Sequence, residues 1–335
     1  MITANRPRLA SNRVRAAFIL ATLLAACAPA GGISTLAGEI ALQATPVPLI
    51  AGQPDVRNLG ILTYLSGFVL SSSDGSFGGY SGLSIGPDGN ELLAVSDFGH
   101  WLRARLFHDS EGRLIEVTRA EVTPMRDLSG APLPNKQAGD AEALTRLADG
   151  SYLVAFEGHH RVWRYVAPDR RAETIPVPAA IARLPRNNGI EAMAPLGGND
   201  LVLVSEGIAN AAGDTRAWLR RDGHWSEFAL ASSDDYRPTD LARMPDGDLL
   251  LLERRFKIIG SVRARLSIIA AADIRPDARV APREIAVLSS PMIVDNFEAV
   301  AVRRDESGRT IVYLLSADNQ NPLQRTLLLQ FELRR

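Results

Sequence analysis

The sequence predicts an all-β fold, a β-propeller of five blades closed by its own N-terminal strand, and three observations carry that expectation. A strand–turn–strand unit recurs five times, at intervals of about 50 to 60 residues. No stretch carries the apolar spacing of a long helix. One strand near the N-terminal end has no partner of its own and can complete the last unit, which removes the open edges of the ring. Six blades is the alternative, if one interval holds two short units.

In chain order, residues 59–70 form the first candidate strand, and residues 71–79 form a loop dense in Ser, Gly and Asp. The units then open at residues 81–85, 141–144, 190–193, 239–242 and 297–300. Each turns at a Gly-containing step: Pro87-Asp88-Gly89, Ala148-Asp149-Gly150, Gly197-Gly198-Asn199, Pro245-Asp246-Gly247 and Glu306-Ser307-Gly308. Second strands follow at 92–97, 152–157, 201–206, 249–253 and 311–318, each closing on an acid. Third and fourth strands fit at 101–107 and 114–122, 162–166 and 173–177, 217–220 and 225–230, and 266–271 and 284–288. The last unit has only 326–333, so residues 59–70 supply its fourth. Residues 179–184 allow a short helical turn that Pro185 ends. Trp101, Trp163, Trp218 and Trp225 read as packing between blades.

With 335 residues and 46% hydrophobic content the chain can bury a real core. A net charge of -1, with the signs interspersed, argues against a nucleic-acid partner. Arg6, Arg8, Arg13 and Arg15 precede an apolar run over 16–26 that is too short to span a membrane, the pattern of an export signal. It ends Leu24-Ala25-Ala26-Cys27, which resembles a lipobox with Cys27 as the lipidated residue. The expected domains are a signal segment with lipobox (1–27), a flexible tether (28–55) and the propeller (56–335), monomeric and lipid-anchored in the bacterial envelope. The alternative is an ordinary signal cut after Ala28 or Ala30, which leaves a soluble periplasmic protein. Cys27 is the only cysteine, so packing and sheet hydrogen bonds must supply stability.

First strands of a propeller line its channel, so acids that open them and close the second strands should gather at one mouth. Glu142, Glu191, Asp240 and Glu298 form the expected inner ring, with Asp97, Glu157, Glu206, Glu253 and Asp318 around it. Crowded carboxylates repel and need an offset, from a hard cation such as Ca²⁺ or from arginine. The expected assignment gives the cation to Glu142, Glu191, Asp240 and Glu298. Glu157 or Glu206 would be the general base, and Arg103, His159, Arg161, Arg237 and Arg254 would bind a phosphorylated or otherwise anionic small ester. The competing view makes the acids structural, each accepting backbone N–H groups from the neighbouring blade. Gly82-Leu83-Ser84-Ile85-Gly86 matches the nucleophile-elbow pattern but runs straight along a strand, so catalysis by Ser84 is not expected.

Several segments together resemble the secreted phytase-like proteins with "esterase-like activity of phytase". These are Gly78-Gly79-Tyr80-Ser81-Gly82-Leu83, Ser96-Asp97-Phe98-Gly99, Asp140-Ala141-Glu142-Ala143-Leu144, Phe156-Glu157-Gly158-His159-His160-Arg161, Asn188-Gly189-Ile190-Glu191-Ala192 and Asp295-Asn296-Phe297-Glu298-Ala299-Val300. The resemblance implies a propeller hydrolase of phosphoric or related esters. In calcium-dependent propeller phytases, acids at the channel mouth hold the ions. That mechanism transfers only as an analogy of fold, because no residue-by-residue match to their site is seen. The alternative function is a non-catalytic propeller that captures a ligand or cation at the cell surface.

Overall fold

The computed structural model describes Met1, residues 38–257 and residues 261–334. The described residues hold five sheets, antiparallel apart from a short parallel pair of Ala229 and Leu230 with Arg279 and Val280, and their first strands meet one another in a closed ring. Blade 1 comprises Tyr80–Ile85, Glu91–Ser96, His100–His108 and Leu114–Pro124. Blade 2 comprises Ala141–Arg146, Tyr152–Phe156, Arg161–Tyr165 and Glu173–Ile175. Blade 3 comprises Ile190–Gly197, Asp200–Ala209, Thr215–Arg221 and His224–Leu230. Blade 4 comprises Arg237–Arg243, Leu249–Lys257, Ser261–Ile269 and Arg283–Leu288. Blade 5 takes Phe297–Arg304, Thr310–Ser316 and Thr326–Leu333 from the C-terminal end, and Leu62–Ser72 from the other.

That last pairing closes the ring as expected, with Leu333 opposite Leu62 and Thr326 opposite Leu70. Each blade is buried on both faces, so its strands alternate between two neighbours. Leu249-Leu250-Leu251-Leu252 shows this well. Leu249 and Leu251 pack toward blade 3 with Val202, Val204 and Leu219. Leu250 and Leu252 pack toward blade 5 with Phe297, Leu314 and Phe331. All four are fully buried, at roughly 2 kcal/mol each. Trp101 and Trp218 fill the interfaces between blades 1 and 2 and between blades 2 and 3.

One expectation fails here. The segment read as a flexible tether is structured from residue 38. Gly38–Glu39 pairs with the outer strand of blade 1, and Leu42–Pro46 pairs with Leu62–Ser72. Ile40, Leu42 and Ala44 pack against the core between these two blades, and the segment covers sheet edges that would otherwise be open. Their period-two apolar pattern was masked by the Ala-, Gly- and Pro-rich surroundings. The signal segment and Cys27 lie outside the described residues, Met1 apart. The turn expected at 179–184 is a 3-10 helix, Ile181–Arg183, and the only α-helix among the described residues is the four-residue Lys136–Gly139.

The nucleophile-elbow pattern has a packing explanation. A Cβ on Gly82 would lie 2.6 Å from the Cβ and 2.8 Å from the amide nitrogen of Leu144, so only glycine lets blades 1 and 2 approach. Gly82→Ala is expected to cost about 1–3 kcal/mol of stability in denaturant unfolding. Ser84→Ala should keep near-wild-type stability and any hydrolytic activity; loss of turnover in Ser84→Ala would restore a serine mechanism.

Candidate functional site

Each first strand carries one extra residue where it meets the second strand at one end of the channel. The unpaired residues are Ser81, Glu142, Glu191, Thr239 and Glu298. Bulges of this kind re-aim a side chain, and these five stand at one height around the axis. Two further positions per blade belong to the same mouth: the residue opening the first strand and the residue closing the second. They are joined by N–H···O bonds of 2.9 Å (Asp97 to Gly79), 2.8 Å (Glu157 to Asp140), 3.1 Å (Glu206 to Gly189) and 2.9 Å (Ala317 to Asn296). In blade 4 the pair is Arg237 and Arg254.

Blade 2 therefore fills all three positions with acids, Asp140, Glu142 and Glu157. Blade 4 fills them with Arg237, Thr239 and Arg254.

This register corrects the expected inner ring. Asp240 sits one residue beyond the bulge, in the wall between blades 4 and 5, and is fully buried. Leu241 N–H donates to one of its oxygens and Val300 N–H to the other, each at 2.7 Å. Asp240 is a clip between blades and not a channel ligand; burial pushes its pKa well above the usual range. Glu253 is displaced by the same single residue, and forms a buried two-point ion pair with Arg265 at 2.7 and 2.8 Å. Asp318 accepts from Gly79 N–H and the Thr326 hydroxyl, tying down the loop before blade 1.

The basic residues divide as sharply. Arg103 pairs with Glu91 at 3.3 Å, at the far end of the strand that closes on Asp97, so it is not at this mouth. Arg161 lies 4.0 Å from the ring centre of Phe156 and 4.2 Å from that of Trp163, and donates to the carbonyls of His159 and Ala138. It braces the turn of residues 157–160; burial brings its pKa down to about 10. His159 is exposed on that turn. Arg237 and Arg254 do reach the mouth, 3.7 and 3.8 Å from Glu206. Arg254 also contacts Glu298 and Asn296, and Asn296 Nδ2 donates to Glu298 at 2.6 Å.

Two site residues went unassigned in the sequence. Asp140 joins the cluster two residues before Glu142. Lys136 stands on the short helix capped by Asn135, with Nζ 2.8 Å from Asp97 and 2.5 Å from Asp140.

Among the described residues, then, seven carboxylates (Asp97, Asp140, Glu142, Glu157, Glu191, Glu206 and Glu298) meet three cations (Lys136, Arg237 and Arg254). The consequence appears in their acidities. Burial, then the charges of Asp140 and Glu157, raises Glu142 well above the usual range. Burial, then Glu142 and Glu206, does the same to Glu191. Glu157 and Asp97 are also raised by burial, Asp97 in spite of Lys136. Glu298 rises to about 7, burial being opposed by Arg254 and Asn296.

Blade 4's arginines thus relieve the acids of blades 3 and 5, while blade 2 has only Lys136. One oxygen from each of Asp140, Glu142 and Glu157 lies within 4.8 Å of the others, a spacing one cation can bridge. The donors are all hard oxygens, which suits Ca²⁺ or Mg²⁺. Asp97 Oδ1, close by, is buried without a hydrogen-bond partner.

The family model Phytase-like, described as "Esterase-like activity of phytase", matches residues 75–320. No curated protein matches. Among solved structures, a gluconolactonase from Xanthomonas campestris is 13% identical, with 88% of this chain and 98% of that one covered and a TM-score of 0.42. An α-L-arabinofuranosidase from Podospora anserina is 12% identical (89% and 98% covered, TM-score 0.44). An aldose sugar dehydrogenase from Streptomyces coelicolor is 13% identical (80% and 98% covered, TM-score 0.40).

The raised acidities imply a pH dependence of fixed sign. Glu142, Glu191 and Glu298 hold protons more tightly folded than unfolded, so their contribution is complete below the usual carboxyl range and is lost as pH rises through the folded values. For Glu298 the window runs from 4.5 to about 7, worth about 3 kcal/mol. In EDTA the melting temperature should fall between about pH 5 and pH 8, and Ca²⁺ should restore it most at the upper end. A melting temperature that climbs over that range contradicts the crowding.

Proposed function

The chain belongs to this phytase-like family, and from that premise we propose that it hydrolyses a small anionic ester, a phosphoric ester first, at the carboxylate mouth with a hard divalent cation at Asp140, Glu142 and Glu157. The observation that carries this reading is the uneven distribution of charge. A ring that served only to hold blades together would satisfy each acid locally, as Asp240 is satisfied by two backbone N–H groups and Glu253 by Arg265. Here one blade concentrates acid, and the blade two positions away concentrates arginine.

The division assigns roles. Arg237 and Arg254 would hold the anionic group of the ester, with Glu206 orienting both guanidinium groups and Glu298 and Asn296 fixing Arg254 from the other side. Glu206 is engaged by two cations and is assigned to holding them. Glu157 belongs with the cation-binding oxygens. Glu191 stands between the two groups of residues, on the bulge of blade 3, and is placed to take the proton of an attacking water at its carboxylate. A divalent cation on blade 2 would supply charge that relieves Glu142 and Glu191 and polarises the ester oxygen. The positive N-terminal segment and Cys27 support an envelope location behind a lipid anchor.

Turnover of an aryl phosphate and an aryl carboxylate, assayed with Ca²⁺ and with EDTA, tests the proposal. Activity should depend on the cation. Glu142→Gln with Glu157→Gln should abolish Ca²⁺ dependence and lower kcat at least about 100-fold. Arg254→Ala should raise KM about tenfold or more, while Asp240→Asn should lower thermal stability more than turnover. Stoichiometric Ca²⁺ binding without turnover of either ester would replace the hydrolase with a ligand-binding propeller.

A further inference from the structure

The opposite end of the channel carries the reverse charge. The strands that open on Glu142 and Glu298 close on Arg146 and on Arg303 and Arg304, roughly 13–20 Å further along. Arg243 closes the first strand of blade 4 at the position equivalent to Arg146. These four arginines line an open recess of about 630 Å³. A smaller cavity of about 120 Å³ leads inward along the axis, and shares Arg146 and Arg243 in its wall. Ser84 and Thr145 are the hydroxyl-bearing residues of that inner lining. Among the described residues no carboxylate lines either space.

Two of these arginines are held by uncharged hydroxyls. Arg303 donates from Nε and Nη2 to the Tyr313 hydroxyl, at 3.3 and 3.2 Å, and so meets an uncharged partner. Its guanidinium lies on the turn of blade 1, where a Cβ on Gly89 would sit 2.6 Å from Nη2. Arg146 is half-buried and hydrogen-bonded to the Tyr152 hydroxyl, and among the described residues its Nε is buried with no acceptor. A buried guanidinium N–H without an acceptor is costly, and an oxyanion in the recess would supply one.

We propose that this mouth is a binding site for a small, multiply charged oxyanion of the phosphate class. Guanidinium forks on three sides match tetrahedral oxyanions, and hydroxyls at the floor add donors. A recess of this size admits inorganic phosphate or pyrophosphate and excludes a folded partner. Low-dielectric walls with charge of one sign concentrate anions at such an opening. The site is distinct from the carboxylate mouth and does not depend on the hydrolytic reading.

Calorimetric titration of the full-length, EDTA-treated protein with pyrophosphate at low ionic strength tests it, because the carboxylate mouth repels anions when no cation is present. One saturable site is expected. Arg146→Gln with Arg243→Gln should weaken binding at least tenfold. Arg304→Gln, at an exposed position that packing does not need, should weaken it about threefold. Glu142→Gln with Glu157→Gln should leave it intact. An absence of saturable binding by the wild type overturns the proposal. So does affinity unchanged in both arginine variants, or affinity lost in the glutamate variant.

Discussion

A single extra residue in each channel-lining strand, opposite a closed pair on the next strand, sets where the carboxylates of this protein meet. A bulge turns its side chain out of the alternation that would bury it between blades. Five bulges at one height around one axis bring Ser81, Glu142, Glu191, Thr239 and Glu298 together, although they are far apart in the chain. Repulsion among the three acids then has to be offset within a narrow opening. Blade 4 offsets part of it with Arg237 and Arg254. Blade 2, with Asp140 and Glu157 added, is left with an excess that protons or a cation must balance.

The blade pattern was legible because its signals are local: apolar runs, Gly-containing turns and a regular period. The closing strand was legible because the last unit visibly lacked one. The site was only partly legible, for a geometric reason. A slip of one residue in a strand moves a side chain to the other face. In blade 4 the acids Asp240 and Glu253 looked equivalent to Glu191 and Glu206, yet both are off by one, and Thr239 and Arg254 hold the mouth positions. Asp140 and Lys136 precede the strand, one at its edge and one on a four-residue helix, where the repeat does not mark them. Arg103 and Arg161 followed acids in sequence, but pairing with Glu91 and stacking on Phe156 and Trp163 take them elsewhere.

The net charge of -1 conceals an axial separation. Acids open the first strands of blades 2 and 5, and arginines close them, so the channel is negative at one mouth and positive at the other. That separation is invisible in composition, and emerges only when the strands are aligned around a common axis.

Proton release on Ca²⁺ binding tests the central claim most directly. Calorimetry near pH 7 in buffers of different ionisation enthalpy counts the protons expelled when the ion enters. If crowding keeps Glu142 and Glu191 protonated in the metal-free protein, binding should release about one proton or more. Glu142→Gln should remove most of that release. Tight Ca²⁺ binding with no proton release, or no saturable binding, would contradict a carboxylate mouth built to hold a cation.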